Sequence, residues 1–347
     1  MLTWLHLSDL HLTEAASSKD RAHFDRLLDD IRTICRSETF WPDVVFFTGD
    51  VAFSAQRSQY ELAAQWFDEV LEACSLTNRR DRLFVIPGNH DVDRNIVNRS
   101  HMSLKQHVTW AEDLLSTREC KDVDDFLKCE LDRKWDFEKF VNYGRFIETY
   151  YNNDDIRFDN NRYYFVRPIE KDGVTVMVIG LNSTWLSFRN NEQGQLLLGE
   201  VQVCDALQRL NDPHKKPNWC IALTHHPLYW LAEKDINCIQ KHLPGKCHIL
   251  LHGHVHHSSF SIQSNPDSYL HVFGAGASLK SQYHAYNLVR LNLTDGKGTA
   301  IVRFQHDDIQ SNWGPDSLTY RNAQNGKIAF SLNMNHLWPP NGAASEA

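Results

Sequence analysis

Leu83-Phe84-Val85-Ile86-Pro87-Gly88-Asn89-His90-Asp91 reads as a short buried strand that stops at a proline–glycine turn and hands over at once to three polar side chains. The same pattern occurs twice upstream. Val44–Phe47 runs into Thr48-Gly49-Asp50, and Thr3–Leu7 runs into Ser8-Asp9-Leu10-His11. Between these runs, Phe24, Leu27, Leu28, Ile31 and Ile34 recur at helical spacing, as do residues around Leu62, Trp66 and Val70. Strand, helix, strand, helix, strand is the pattern of an α/β layered domain. Downstream, strands are expected at Tyr163–Val166 and Val174–Leu181, with helices around Val201–Leu210 and Asp235–His242. Cys220–Leu223 ends in Thr224-His225-His226-Pro227, and His248–Leu251 ends in His252-Gly253-His254-Val255-His256. Four further short runs, Ser258–Ile262, Tyr269–Phe273, Asn287–Leu293 and Thr299–Phe304, predict an antiparallel finish to a second sheet.

The alternation is interrupted between Asn95 and Asn160, a stretch with helical patterning and an aromatic stripe of Trp135, Phe137, Phe140, Val141, Ile147 and Tyr151. A helical insertion packed on the core is one reading of it, and a cap over a site is the other. No linker separates two units, so residues 1–338 are expected to form a single domain and 339–347 a disordered tail. With 42% hydrophobic and 23% charged residues in 347, the chain is an ordinary globular protein, neither fibrous nor disordered. It shows no apolar run long enough for a membrane span and no signal-peptide pattern. A net charge of -8 advertises no nucleic-acid or acidic-membrane surface. Eight scattered cysteines without a CxxC pair predict reduced thiols and a cytoplasmic location. The 19 histidines stand out, because several cluster at the strand ends.

A sheet delivers successive strand ends to one rim, so the five polar groups can converge although they are far apart in sequence. Each alone is weak, since a single strand-end histidine is commonly a hydrogen-bonded structural residue. Together they form a mixed oxygen and nitrogen set without sulfur, which suits manganese, iron or zinc better than magnesium. There are more ligands than one ion needs, which implies two divalent ions, with manganese the first choice.

The ordered set Asp9, His11, Asp50, Asn89-His90, His225 and His254-x-His256 resembles the calcineurin-like metallophosphoesterase superfamily. The resemblance implies a four-layer α/β/β/α sandwich, two β-sheets flanked by helices. It also implies that Asp9, His11, Asp50 and His256 hold one metal, and that Asp50 bridges to a second completed by Asn89, His225 and His254. His225 is preferred to His226 because the family's ligand lies two residues before the proline. Two cations about 3.5–4 Å apart can share a hydroxide for in-line attack on phosphorus. His90 is then the candidate acid for the leaving alkoxide. Asp91 is expected either to orient His90 or to serve the turn.

Asn182, Arg94 and Tyr229 are weaker candidates for substrate contacts, Tyr229 by stacking on a base. Protein serine/threonine phosphatases of this superfamily carry Asp-Arg-Gly after the second motif, whereas here Asp50 is followed by Val51-Ala52-Phe53. Purple acid phosphatases place a tyrosine ligand where Phe53 stands. The nuclease branch stays open, although the 95–160 insertion carries 10 basic and 14 acidic residues, a net of -4. The expected activity is a phosphodiesterase acting on a nucleotide-like diester. A DNA or RNA nuclease, a phosphomonoesterase and a catalytically silent interaction scaffold are the alternatives. No membrane is implied, and a protein partner or oligomer is left open.

Overall fold

The computed structural model describes residues 1–14, 17–97, 104–116, 121–153, 155–189, 191–211, 217–265, 268–279, 283–305, 312–317, 319–320 and 323–332. The expected tail at 339–347 lies outside these. The first third of the chain builds β1 (Leu2–Leu7), α1 (Ser18–Glu38), β2 (Val44–Phe47), α2 (Arg57–Ala73) and β3 (Leu83–Val85). Ser17 starts α1 by accepting a hydrogen bond from the Asp20 amide in a capping box, and the expected apolar stripe from Phe24 to Ile34 is buried. Strands β1, β2 and β3 pair in parallel, with α1 and α2 as the crossovers.

The insertion folds as α3 (Arg94–Val97), α4 (Leu104–Ser116), α5 (Lys121–Lys128), α6 (Glu130–Asp136) and α7 (Val141–Tyr151). After it come β4 (Phe165–Lys171), β5 (Val174–Gly180), α8 (Glu200–Gln208), β6 (Trp219–Leu223), α9 (Glu233–His242) and β7 (Ile249–His252). The chain closes with β8 (Ser259–Asn265), β9 (Ser268–Gly274), β10 (Ala285–Leu291), β11 (Lys297–Gln305), β12 (Trp313–Pro315) and β13 (Lys327–Ser331). Strand β4 starts two residues later than expected and runs on to Lys171, because Arg167, Pro168, Glu170 and Lys171 interrupt its apolar pattern and only Ile169 is fully buried.

The strands form two mixed sheets, ordered β12-β11-β10-β1-β2-β3 and β4-β5-β6-β7-β9-β8, with β13 also paired to β11. The four late strands therefore do not all finish the second sheet. The β8–β9 hairpin does so, but β10 turns back to pair antiparallel with β1 and brings β11 with it. Apolar alternation cannot encode this choice, because the open edges of β1 and β7 offer the same hydrogen bonds.

Side-chain alternation sets the layers. Leu2 and Trp4 of β1 pack with Trp219, Ile221 and Leu223 of β6 in a core between the sheets, whereas Leu5 and Leu7 face α1, α2 and α7. A third core lies between the second sheet and the layer of α4, α5, α8 and α9. The result is α/β/β/α, as expected. Phe137, Phe140 and Ile147 of the aromatic stripe are buried, but Val141 is exposed; the Trp135 side chain lies outside the described residues. Cys35, Cys74, Cys129, Cys204, Cys220 and Cys247 are free, as expected. Cys238 is disulfide-bonded, which corrects the expectation of reduced thiols: pairing follows proximity in the fold, not sequence spacing. Among the described residues no helix is long and apolar enough to cross a membrane.

Candidate metal centre

Parallel pairing brings the ends of β1, β2 and β3 to one rim, and the ends of β6 and β7 meet them there from the second sheet. Beyond those ends, two groups of ligand-competent atoms lie on either side of Asp50. On one side, His256 Nε2 lies 3.2 Å from His11 Nε2 and 3.3 Å from Asp9 Oδ1. On the other, His225 Nε2 and His254 Nδ1 lie 2.9 and 3.0 Å from Asn89 Oδ1 and 3.2 Å from each other. Asp50 Oδ2 faces both groups, 3.7 Å from His11 Nε2 and 3.4 Å from His225 Nε2. Its Oδ1 is engaged otherwise, accepting the His90 amide at 2.8 Å. All seven residues expected as ligands are thus brought together.

The separations fit a metal ion. Bonds of about 2.0–2.2 Å to nitrogen and oxygen imply ligand-to-ligand edges of roughly 2.8–3.1 Å in an octahedral shell and roughly 3.3–3.6 Å in a tetrahedral one. The donor chemistry fits as well. Asp9 Oδ1 is buried and accepts no hydrogen bond among the described residues. Thr48 O takes the Nδ1–H of His225 at 2.7 Å, which leaves Nε2 to face the cluster. Orphaned carboxylate oxygens and imidazole nitrogens facing one another are costly when buried, and a cation offsets that cost.

Backbone strain concentrates at the same place. Asp9, His11, Asp50, His254 and His256 all have φ between 47° and 71°, a region costing non-glycine residues about 1–2 kcal/mol each. Turns this sharp aim successive side chains back over the strand ends. Gly49, at φ 97°, leaves the room a tight turn needs, since a Cβ there would sit 2.5 Å from His225 Nδ1. Gly88 makes way for Asp50, as a Cβ would lie 2.1 Å from the Asp50 amide nitrogen.

Burial alone would raise the carboxyls. For Asp50, neighbouring His225 and His11 more than offset that and hold it well below its usual range. Asp9 is held down to about 2 against burial by its contact with His256 and the charge of His225. Burial disfavours protonated His11 and His254, which fall to about 4 and about 3. His225 goes the other way. Burial would lower it, but Asp50 and Asp9 push it up to about 9.

The remaining expected residues separate. The His90 ring lies edge-on to His11, with centroids 4.6 Å apart, and its Nδ1 donates to Phe53 O at 2.7 Å. That carbonyl, not Asp91, orients the ring. Asp91 instead accepts from the amides of Val51, Ala52 and Gly88 and from the Tyr60 hydroxyl, so both its oxygens serve the turn beneath Asp50. Asn182 is fully buried, and its Oδ1 is taken by Thr184, so it pins a loop. Arg94 donates to Arg189 O at 3.0 Å, which turns it toward the loop after β5. Tyr229 is 57% exposed. Sequence reasoning missed the role of the Phe53 backbone, which no side-chain pattern records. It also passed over the close packing of Trp230 on His254, centroids 4.0 Å apart, and the pairing of His226 Nδ1 with Ser183.

Comparison with known proteins agrees with this fold. The calcineurin-like phosphoesterase family model matches residues 2–258. The chain is similar to the uncharacterized metallophosphoesterase-like protein YydB of Bacillus subtilis (strain 168), at 23% identity over 336 residues. That match covers 95% of this chain but 65% of the relative, so the chain spans just under two thirds of that protein's length. The purple acid phosphatase PPD1 from yellow lupin (Lupinus luteus) seeds has a similar structure, at 12% identity over 99% of this chain and 57% of that one, TM-score 0.51. A 5'-nucleotidase precursor from Thermus thermophilus matches at 14% identity over 84% of this chain and 52% of that one, TM-score 0.41. At 12% identity the likeness to the lupin enzyme shows the fold alone. The family match, which covers well over half of the 347 residues, shows more: the chain belongs to the calcineurin-like phosphoesterase family.

Proposed function

We propose that the protein is a dinuclear-metal-dependent phosphodiesterase acting on a nucleotide-like diester. The observation that carries this reading is the sharing of Asp50 Oδ2 between two sets of donor atoms. Asp9, His11, Asp50 and His256 would hold one divalent ion, and Asp50, Asn89, His225 and His254 the other, with manganese the first choice. Two such ions, when bound, supply Lewis acidity toward the phosphoryl oxygens and an acidified water as nucleophile.

The chain's own residues do the rest. Thr48 O fixes the tautomer of His225. Asp50 is clamped through Oδ1 by the His90 amide, so the element that positions one ligand also carries the proton donor. Because a carbonyl only accepts, Phe53 O keeps the His90 proton on Nδ1 and leaves Nε2 to exchange a proton with a leaving alkoxide. The exposed Phe53 ring lies beside His90, centroids 5.4 Å apart, and would offer an apolar face to a base, as would the exposed ring of Tyr229, four residues after His225. Phe53 cannot supply the phenolate ligand of a purple acid phosphatase.

The test is hydrolysis of bis-p-nitrophenyl phosphate beside p-nitrophenyl phosphate, with Mn²⁺ and with EDTA, and with Asp50→Asn as control. The reading expects metal-dependent turnover that favours the diester and is lost in Asp50→Asn. Preference for the monoester would replace it with a phosphatase.

A further inference from the structure

Away from the rim, α8 and α9 lie side by side on the outer face of the second sheet. Glu200 opens α8, and Cys204 stands one turn later on the same face. His242 closes α9 and reaches across, its Nε2 2.5 Å from Glu200 Oε1. One ligand atom from each of the three lies within 4.8 Å of the other two. We propose that Glu200, Cys204 and His242 form a zinc site, separate from the Asp50 centre, that clips α8 to α9.

The surroundings favour a cation. Asp124 of α5 accepts the Val201 amide at 2.9 Å, which places a second carboxylate beside the first turn of α8. Glu200, Asp124 and Asp205 surround the Cys204 thiol with negative charge, with Lys128 opposing. A divalent ion would reverse that balance, and its binding releases the thiol proton to solvent. One thiolate, one imidazole and one carboxylate make three zinc ligands and leave a fourth position for water. Glu200 and His242 are each 31% exposed at the side chain, so an ion can enter from solvent.

The sulfur makes the site separately observable, because the Asp50 centre has none. The full-length protein is loaded with Co²⁺, and the sulfur-to-cobalt charge-transfer absorption is followed. The expected result is a band that saturates at about one ion per chain. It is absent in Cys204→Ser, needs at least about tenfold more Co²⁺ in His242→Ala, and persists in Asp50→Asn. Zn²⁺ should raise the melting temperature of Asp50→Asn by more than that of the Asp50→Asn/Cys204→Ser double variant, and equal shifts would overturn the proposal. Cys204→Ser should retain diester hydrolysis. A wild-type protein without the band, or a band that survives Cys204→Ser, overturns the proposal. Loss of hydrolysis in Asp50→Asn with the band intact leaves the two metal centres independent, as proposed.

Discussion

At the scale of single residues, two neighbours that look interchangeable in sequence have opposite work. The His90 ring is held by a backbone carbonyl beside the cluster, whereas the Asp91 carboxylate is consumed by three amides and a hydroxyl. Substituting each should therefore fail differently. His90→Ala is expected to lose about 10²–10⁴-fold on diesters with poor leaving groups. It should lose far less on p-nitrophenyl esters, whose phenolate departs unaided. Asp91→Asn presents an amide to the donors that its oxygens now satisfy, and should destabilise the fold by about 1–3 kcal/mol. Its leaving-group dependence should stay that of wild type. Rates across a leaving-group series, with urea unfolding alongside, separate the two outcomes, and equal His90→Ala losses on all esters would remove His90 as the acid. The five polar groups were legible in sequence because each follows an apolar run, and the family resemblance picked the seven ligand candidates out of them. The carbonyl of Phe53 and the left-handed φ of Asp9, His11, Asp50, His254 and His256 were not, since neither leaves a mark on residue type.

Among elements, the packing of α1 against the first sheet carries a pH dependence. His23 on α1 lies against His284 just before β10, ring centroids 4.1 Å apart, and near Trp313 of β12. Burial, and then the neighbouring His284, lower it to about 4. Between that value and 6.5 the unfolded chain binds a proton that the folded one refuses. The contribution of neutral His23 to stability is therefore full above pH 6.5 and is lost as pH falls toward 4, with a slope of at most about 1.4 kcal/mol per pH unit. His23→Gln should remove this part of the slope. Urea unfolding of both proteins at several pH values between 4 and 7.5 measures it, and parallel curves would refute the assignment. The helix itself was readable from its apolar stripe, but its partner was not. Nothing in the run at Asn287–Leu293 says that β10 returns to β1.

For the whole molecule, the insertion is the element whose reading matters most. α7 packs Tyr143, Phe146, Ile147 and Tyr150 into the core with α1 and α2, while α5 packs Val123 and Leu127 with α8 and α9 on the opposite layer. Asn142 also donates to Ala55 O, and Lys139 O accepts the Asp93 amide, so the insertion is tied to loops that follow two of the site motifs. Replacing residues 95–160 by a short linker should abolish soluble folding and turnover of every ester together. Altered selectivity with generic diester activity intact would make the insertion a cap instead. Residue patterning left both readings open because a buried aromatic stripe looks the same under either. Alternation showed a layered α/β domain, and the family resemblance implied its four layers, which carry five strand ends to one rim. The account stands or falls on Asp50 joining two ions there. Electron paramagnetic resonance of the Mn²⁺-loaded protein tests this directly. The account predicts two ions per chain with an exchange-coupled spectrum, replaced in Asp50→Asn by weaker binding and the signal of isolated ions. Uncoupled ions in the wild type, or coupling that survives Asp50→Asn, would contradict it.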